Sequence, residues 1–291
     1  MDDAPVSSSS RRGGVVVTGA STGIGRACAL HLDSLGFQVF AGVRKREDGE
    51  RLAGEASERL EPVTLDVTDT DSIAAAAERV SEASADRGLA GLVNNAGITV
   101  SAPLEFVPLD DFRHQLDVNV VGQIAVTQAF LAMLREARGR VVFMGSIGGR
   151  MALPLLSPYH ASKFALEAIA DSLRQELRPW GIAVSIVEPG SIATPIWDKG
   201  ASSADAVIEK MPAEARRLYG KPVEAMRKTA KETGERGLPP EKVAAVVGRA
   251  LTARRPRTRY LVGRDAKAQL VLSRLLPDRM VDRLVARQLG V

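Results

Sequence analysis

Residues 159–163, YHASK, place a tyrosine four residues before a lysine, where the sequence pattern predicts the start of a helix. Residues four apart lie on one face of a helix, so the phenol of Tyr159 and the ammonium of Lys163 are expected to be neighbours. A positive charge beside a phenol favours the phenolate and lowers a pKa that is ordinarily about 10. Tyr159 is therefore a candidate general acid and base, although an ordinary surface pair would show the same spacing.

A glycine-rich stretch, TGASTGIG at residues 18–25, lies between the first predicted strand and the first predicted helix. Helix N-termini offer free N–H groups to phosphate at the carboxyl end of such a sheet. Gly19 would permit the turn, Gly23 would let the backbone approach a pyrophosphate, and Gly25 would permit close helix packing. The spacing differs from the commoner G-x-G-x-x-G, so a purely structural glycine turn is the alternative interpretation.

The end of the second predicted strand carries a run of positive charge. In dinucleotide-binding folds an acidic residue here favours NAD, whereas an arginine accommodates the 2′-phosphate of NADP. This chain has Arg44, Lys45 and Arg46 before its first acid, Glu47. The sequence favours NADP, with NAD as the alternative, and a solvated charge run is the other interpretation. Asp66, at the end of the third strand, could bond the adenine amino group or cap a helix.

Short apolar runs alternate with helical segments along most of the chain. The predicted strands are 14–19, 38–43, 61–67, 89–95, 140–146 and 182–190, with 258–263 as a seventh, and the predicted helices are 24–35, 71–85, 109–135 and 158–177. Near-continuous apolar strands between helices predict right-handed βαβ units and a parallel sheet that is covered on both faces. The expected fold is α/β, a Rossmann-like doubly wound parallel sheet of about seven strands.

Composition and charge exclude several classes of protein. Lys and Arg number 39 against 35 Asp and Glu, a mild excess that suits anionic ligands and is too diffuse for nucleic acid. The single cysteine, Cys28, excludes a disulfide within the chain, and His31, His114 and His160 lack metal-ligand spacing. No apolar run approaches the roughly 20 residues of a membrane span. A cytoplasmic protein with at most peripheral membrane contact is expected.

Six motifs occur in an order that resembles the short-chain dehydrogenase/reductase family. The resemblance extends over about residues 14–195, with weaker agreement to 263. The motifs are TGASTGIG at 18–25, NNAG at 94–97, Asn119 in LDVNVVG, Ser146 in VVFMGSIGG, YHASK at 159–163 and PGSIATP at 189–195.

The resemblance implies hydride transfer between NAD(P) and an alcohol or ketone. Ser146 would hold and polarise the substrate oxygen, and Lys163 would bond the cofactor ribose as well as act on Tyr159. Asn119 would hold a water that links Lys163 to solvent, or would simply be a buried hydrogen-bonding residue. His160 is given no role. The implied catalytic residues are Asn119, Ser146, Tyr159 and Lys163, and the implied cofactor-binding residues are Gly19, Ser21, Thr22, Gly23, Ile24, Gly25, Arg44, Asp66, Val67, Asn95, Ala96, Gly97, Tyr159, Lys163, Pro189, Gly190, Ile192 and Thr194.

The chain divides into a catalytic domain and appendages. Residues 1–12 are expected to form a disordered tail, and 13–263 a single dinucleotide-binding domain whose segment 195–238 is a helical substrate lid. Residues 264–291 read as two amphipathic helices around Pro277. The candidate apolar contacts of the lid are Trp197, Met211, Leu218, Tyr219 and Met226.

The C-terminal segment resembles the extension of retinol- and hydroxysteroid-type members of the family. A lipophilic alcohol or ketone is therefore the expected substrate. A 3-oxoacyl-thioester reductase is the alternative within the same chemistry, and a non-catalytic NADP-binding sensor is the alternative outside it. The family resemblance also implies a homodimer or homotetramer.

Overall fold

The computed structural model describes residues 12–197 and 212–289. Its centre is a seven-stranded, fully parallel sheet in the order β3-β2-β1-β4-β5-β6-β7. This order reverses direction between β1 and β4, which leaves a crevice at the carboxyl ends of those strands. The strands are β1 Gly14–Val17, β2 Gln38–Val43, β3 Leu60–Thr64, β4 Leu89–Asn94, β5 Arg140–Met144, β6 Ala183–Pro189 and β7 Arg259–Val262. The predicted fold class is confirmed.

Helices cover both faces of the sheet. They are α1 Gly23–Ser34, α2 Arg46–Ala53, α3 Thr70–Ser84, α4 Leu109–Leu116, α5 Gly122–Glu136, α6 Ser157–Glu176, α7 Ala213–Arg236, α8 Pro240–Thr252, α9 Arg264–Leu275 and α10 Asp278–Leu289. Two of them, α2 and α8, were not predicted. In α2 the helix is short and mostly charged, and its few buried residues do not stand out in the sequence.

Successive side chains along each strand point to opposite faces of the sheet, so they pack into two separate hydrophobic cores. Val15 and Val17 of β1 face the side covered by α1 and α8, whereas Val16 faces the side covered by α3, α5 and α6. Cys28 is fully buried in the first core, where burial raises the pKa of its thiol to about 12. It is a packing residue, as the apolar run around it predicts.

Most predicted strands are longer than the observed ones at their carboxyl ends. The observed β1, β3, β4 and β5 end at Val17, Thr64, Asn94 and Met144. The apolar or small residues that follow leave the sheet and form loops over the crevice. Sequence alternation cannot mark this point, because the chain stays buried after it leaves the hydrogen-bonded ladder.

The predicted helix 109–135 is continuous but irregular. A π-helical turn, Asp117–Val121, separates α4 from α5. The combined helix Leu109–Glu136 contains an 18-residue stretch with a mean hydropathy of 1.3 and is long and apolar enough to span a membrane by length and composition alone, which corrects the expectation that no segment would be. Core helices pass the same test, and Phe130 and Leu134 of this helix are fully buried in the second core.

The predicted lid and tails are described only in part. Residues 1–11, 198–211 and 290–291 lie outside the described residues, so the expected disorder of the N-terminus and the contact of Met211 have no structural counterpart here. Helix α7 packs through Ala215 against Val100, Ala102 and Val107.

The other lid contacts differ from expectation. Tyr219 donates to Glu105 at 2.8 Å and meets the edge of Phe106, whereas Leu218 is exposed. Among the described lid candidates, only Trp197 lines the crevice. Helix α7 therefore packs beside the crevice, on the loop that borders it.

Candidate active site

A cavity opens at the carboxyl ends of the strands, where β1 and β4 diverge. All the predicted site residues except Asn119 line it: Gly19, Ser21, Thr22, Gly23, Ile24, Gly25, Arg44, Asp66, Val67, Asn95, Ala96, Gly97, Ser146, Tyr159, Lys163, Pro189, Gly190, Ile192 and Thr194. The segments that follow six different strands contribute these residues. The fold thus brings together groups that are far apart in sequence.

The glycine-rich turn has the shape that a phosphate site needs. Gly19 and Gly23 both have positive φ, at 65° and 57°. A Cβ at Gly25 would collide with the carbonyl oxygen of Gly19 and would lie 2.5 Å from the side-chain amide of Asn95. Thr22 begins α1 without a side-chain cap, so the first N–H groups of the helix face the cavity unpaired by a cap. These residues fit the pyrophosphate of a dinucleotide.

The glycine turn is held to the neighbouring strand by Thr18 and Asn95. The Thr18 hydroxyl accepts from the backbone N–H groups of Asn95 and Ala96, both at 2.9 Å. The Asn95 side chain donates back to the carbonyl oxygens of Thr18 and Gly19 at 2.9 and 3.2 Å. Thr18 was not predicted as a site residue; its place directly before the first glycine is the signal that could have shown it.

Asn119 braces a loop and does not line the cavity. Its Oδ1 accepts from the N–H of Ile98 at 2.8 Å, and its Nδ2 donates to the Ile98 carbonyl at 3.0 Å and to the Ser162 hydroxyl at 3.1 Å. The side-chain amide is thus occupied by protein groups. Of the two roles predicted for Asn119, the geometry of its side chain favours the buried hydrogen-bonding residue.

Two glutamines share this bracing role and were not predicted. Gln115 and Gln123 lie four residues before and after Asn119, on the same face of the helix. Gln115 bonds the N–H of Val100 at 2.6 Å and the carbonyl of Ile98 at 2.7 Å, and Gln123 donates to the Ala96 carbonyl at 2.9 Å. Polar residues spaced by four in an otherwise apolar helix were the available signal.

Ser146, Tyr159 and Lys163 meet at the far end of the cavity. Ser146 begins the 3₁₀ turn Ile147–Gly149 and accepts from the N–H of Gly148 at 3.0 Å. Its side chain is hydrogen-bonded to that of Tyr159. The Lys163 ammonium is buried, lies 5.7 Å from the centre of the Tyr159 ring, and donates to the Met144 carbonyl at 2.8 Å.

The protonation of this pair differs from the prediction. Burial raises the pKa of Tyr159, while the hydrogen bond from Ser146 acts in the opposite direction. Burial also lowers the pKa of Lys163 to about 8. The expected lowering of the phenol pKa by Lys163 is absent here, because the ammonium is directed to the Met144 carbonyl. The phenol is therefore protonated at neutral pH and can donate a proton to a developing alkoxide.

A phenol and a serine hydroxyl at the end of a cavity that fits a dinucleotide are the arrangement of a carbonyl–alcohol oxidoreductase, and comparison with known proteins agrees. The family profile described as short chain dehydrogenase matches residues 14–204. The chain belongs to the short-chain dehydrogenase family. It is an NAD(P)-dependent oxidoreductase.

Individual relatives cover most of the chain. Retinol dehydrogenase 16 of Homo sapiens is 40% identical over 276 residues, covering 93% of this chain and 87% of that protein. The 17-beta-hydroxysteroid dehydrogenase type 6 of Bos taurus is 39% identical, with 94% and 87% covered. An NADPH-dependent 3-dehydrocapnine reductase of Ornithobacterium rhinotracheale is 35% identical, with 94% and 96% covered. The resemblance to retinol- and hydroxysteroid-type members is confirmed.

A solved structure agrees with the fold. A short chain dehydrogenase from Burkholderia cenocepacia, in complex with NADP, superposes with a TM-score of 0.71 at 25% identity. It covers 96% of this chain and 98% of that one.

In this short-chain dehydrogenase His160 holds the loop that follows Ser146. Its Nδ1 lies 2.8 Å from the carbonyl oxygen of Gly148, and its Nε2 accepts from the N–H of Leu153 at 3.0 Å. The Leu153 contact requires a neutral ring that carries its proton on Nδ1. Burial lowers the pKa of His160, which keeps the ring neutral. The sequence assigned no role to His160; its place beside Tyr159 on the helix was the only signal.

The cofactor-side loops show two further interactions. The Asp66 carboxylate accepts from the N–H and the hydroxyl of Thr68 at 2.9 and 2.7 Å. Burial alone would raise the pKa of Asp66, but the Thr68 hydrogen bonds and the positive charge of Arg44 and His114 offset this, so the pKa is lowered. Arg46 is paired with Glu50 at 2.7 Å on the surface of α2, which leaves Arg44 as the arginine that lines the cavity.

The predicted cofactor-binding turn at residues 189–194, which by the family resemblance would bind the nicotinamide, is held by a residue from the C-terminal extension. Asp265 of α9 accepts from the N–H of Ser191 at 2.6 Å. A Cβ at Gly190 would collide with the Asp265 carboxylate. The extension therefore contacts the active site directly. Nothing in the local sequence around Asp265 indicates this, because the contact joins residues that are 74 positions apart.

Proposed function

We propose that this short-chain dehydrogenase uses NADP(H) to interconvert a lipophilic alcohol and the corresponding ketone or aldehyde. The observation that carries the proposal is that Ser146, Tyr159 and Lys163 line the same cavity as the apolar side chains of Ile98, Met144 and Trp197. Bound NADP(H) would supply or accept the hydride. Ser146 would orient the substrate oxygen, and Tyr159 would hold the proton at its hydroxyl.

The relatives support the substrate class. Two of them are named for retinol and for 17-beta-hydroxysteroids, and a third for 3-dehydrocapnine with NADPH. The test is a turnover screen of retinoid, steroid, long-chain aliphatic and acyl-thioester substrates with both cofactors. Turnover of a retinoid, steroid or long-chain ketone is expected. Preferential reduction of 3-oxoacyl thioesters would favour the alternative reductase, and NADP binding without any turnover would favour the sensor.

We propose that the protein is cytoplasmic and that its C-terminal helices attach it peripherally to an anionic lipid surface. Residues 264–291, which contain the two helices, have six Lys and Arg and three Asp, a net charge of +3 of the total +4. Five large apolar side chains of α9 and α10 are exposed within this basic segment: Val271, Leu272, Leu275, Met280 and Leu284. Exposed apolar groups beside clustered arginines are the pattern of an interfacial helix pair.

The position of these helices fits delivery of a lipophilic substrate. Helix α10 packs on α7, and α9 contacts the turn that follows Ser146. A surface attached through α9 and α10 would therefore lie close to the substrate side of the cavity.

Vesicle sedimentation tests the attachment. The wild type is expected to sediment with phosphatidylserine vesicles at low salt and to be released by high salt, since the attraction is partly electrostatic. The double variant Leu272→Ser/Leu275→Ser should lose binding. Leu104→Ser, which changes an exposed leucine elsewhere, is the matched control and should bind as the wild type does. Wild-type protein that stays in the supernatant at low salt would contradict the proposal.

We also propose a homodimer or homotetramer that pairs the neighbouring helices Leu109–Glu136 and α6. Both carry an exposed large apolar side chain, Val121 at 56% and Phe164 at 45%. Light scattering at micromolar concentration should give at least twice the mass of one chain. The variant Phe164→Glu should shift the mass toward the monomer, and a monomeric wild type would contradict the proposal.

A further inference from the structure

Five charged side chains, here called the charge cluster, meet behind the active site. They are Arg150, Glu167, Asp171, Glu188 and Arg259. Glu188 accepts from Arg150 at 2.7 Å, and Glu167 accepts from Arg259 at 3.0 Å. Arg259 also donates to both carboxylate oxygens of Asp171, at 3.1 and 2.7 Å. None of the five lines the cofactor cavity.

Glu167 and Glu188 form the buried centre of the charge cluster. The Glu188 side chain has no exposed surface, and that of Glu167 is 9% exposed. One oxygen of each carboxyl accepts from an arginine. The other oxygen, Oε1 of Glu167 and Oε2 of Glu188, has no hydrogen-bond donor among the residues that the structure describes. Two ionised carboxylates can only accept hydrogen bonds, so they could not satisfy each other.

One proton resolves the hydrogen bonding of the glutamate pair. Arg174 also donates to Asp171, at 3.0 Å, so three carboxyl groups face three guanidinium groups around the cluster. The proton is required instead by the two buried oxygens that lack a donor, because it lets one glutamate donate to the other. In agreement, burial, the hydrogen bond that protonated Glu167 donates to Glu188, and the negative charge of Glu188 raise the pKa of Glu167 to about 7, although Arg150 and Arg259 act in the opposite direction.

The charge cluster joins the segments that carry the catalytic groups. Glu167 lies one helical turn beyond Lys163 on α6, and Glu188 directly precedes Pro189 of the predicted nicotinamide-binding turn. Arg150 ends the turn that begins at Ser146, and this turn lies against α6: a Cβ at Gly149 would lie 2.8 Å from the Lys163 carbonyl oxygen.

We propose that Glu167 and Glu188 share one proton and that this protonated pair, held by Arg150 and Arg259, positions the Ser146 turn against Tyr159 and Lys163. All these residues are positioning residues, because none of them reaches the cavity. Loss of the shared proton places two like charges together in a buried site and loosens the three segments.

Other charged groups near the pair act elsewhere. The Lys163 ammonium is directed to the Met144 carbonyl, and the Asp265 carboxylate accepts from Ser191 on the far side of Pro189. Asp171 has a lowered pKa, chiefly because of its hydrogen bonds with Arg259, and stays ionised at neutral pH. Burial lowers the pKa of Lys163 to about 8, so Lys163 makes stability rise with pH. Among the described groups near the charge cluster, the glutamate pair is therefore the one whose titration makes stability fall as pH rises towards neutrality.

The thermal stability of the full-length protein tests the shared proton without reference to any activity. A carboxyl whose folded pKa is raised stabilises the fold at low pH, and this contribution is lost as pH rises through the folded value. The melting temperature should therefore fall as pH rises from the ordinary value of 4.5 to the folded value of about 7, and should level off above it. Glu167→Gln, whose amide can donate to Glu188 at every pH, should remove this fall.

Two further variants make the test specific. Asp171→Asn changes a carboxyl on the same helix and the same arginine but outside the pair, so it should keep the wild-type slope. The double variant Glu167→Gln/Glu188→Gln leaves the arginines underneutralised and should melt lower at every pH. If the melting temperatures of the wild type and of Glu167→Gln change with pH by the same amount, the shared proton is overturned.

The kinetic part of the inference rests on the proposed function. Arg150→Ala should lower kcat by up to about 10²-fold, because displacing a reacting group by about 1 Å can cost that much. NADPH affinity should change little in this variant. Equal losses in NADPH affinity and kcat would indicate general unfolding of the site and would overturn the positioning role, while the melting experiment would still stand.

Discussion

Lys163 donates from its buried ammonium to the carbonyl oxygen of Met144, at a distance of 2.8 Å. This bond ties the helix that carries Tyr159, the candidate acid and base, to the end of β5, two residues before Ser146. The lysine is thus held in place by the protein itself. Its remaining donors are available to a ligand in the cavity, since an ammonium has three.

Lys163→Ala is expected to damage both turnover and NADP(H) affinity. The variant removes a donor to the cofactor ribose, and it also leaves the buried Met144 carbonyl unpaired, at a cost of about 1–3 kcal/mol. Lys163→Met, which keeps the apolar stem, separates packing from hydrogen bonding. Fluorescence titration gives the dissociation constants. Unchanged NADP(H) affinity in both variants would remove the ribose role.

Tyr159→Phe is expected to lower kcat by about 10²–10⁴-fold while NADPH binding stays close to wild type. Phenylalanine keeps the ring and removes the proton donor, and general acid–base catalysis contributes about this factor. Tyr260→Phe is a matched control, because Tyr260 is a buried tyrosine outside the cavity. A Tyr159→Phe enzyme with near wild-type kcat would refute the assignment.

The pH dependence should differ between the two directions of the reaction. Because burial raises the pKa of Tyr159, the phenol keeps its proton through neutral pH. Reduction, which needs the proton, should stay level there and fall only at alkaline pH, whereas oxidation should rise with pH. Ser146→Ala removes the hydrogen bond that favours the phenolate of Tyr159. The fall in reduction and the rise in oxidation should therefore both move to higher pH. A reductive kcat/KM that already declines through neutral pH would contradict this.

His160→Phe should destabilise the loop that follows Ser146. It leaves the N–H of Leu153 and the carbonyl of Gly148 without their partner, at about 1–3 kcal/mol for each unsatisfied buried group. In the wild type the pKa of His160 is lowered, so its contribution is present above the ordinary value of 6.5 and is lost as pH falls through the folded value. In the acid range, the melting temperature of the variant should therefore change less with pH than that of the wild type. This trend is opposite in sign to that of the Glu167–Glu188 pair.

Arg44→Ala should reduce the preference for NADP(H) over NAD(H). A guanidinium can meet the 2′-phosphate with charge-assisted hydrogen bonds, each worth about 1.5–3 kcal/mol, and 1.4 kcal/mol corresponds to a factor of ten. We expect the wild type to prefer NADP(H) by tenfold or more. Arg46→Ala, which removes the arginine paired with Glu50, is the control and should keep the preference. Both dissociation constants are measured at one ionic strength. A wild-type preference for NAD(H) would refute the prediction.

The sequence by itself determined the fold class, the glycine turn and the Tyr159–Lys163 pair. Each of these depends on local chemistry: strand alternation, positive φ at glycine, and a four-residue spacing on one helix. The identity of most cavity residues followed as well, because the loops after parallel strands converge at one edge of the sheet.

Only the tertiary structure decided where the polar side chains point and which of them meet. Lys163 turns to Met144, Asn119 braces Ile98, and Asp265 reaches Ser191 from the C-terminal extension. Glu167 and Glu188 are unremarkable in sequence and become a buried pair only when α6 packs on β6. Such contacts depend on how distant elements pack, and burial then sets the pKa of each group. Neither the packing of distant elements nor the resulting burial of a side chain is encoded in the spacing of residues along one element.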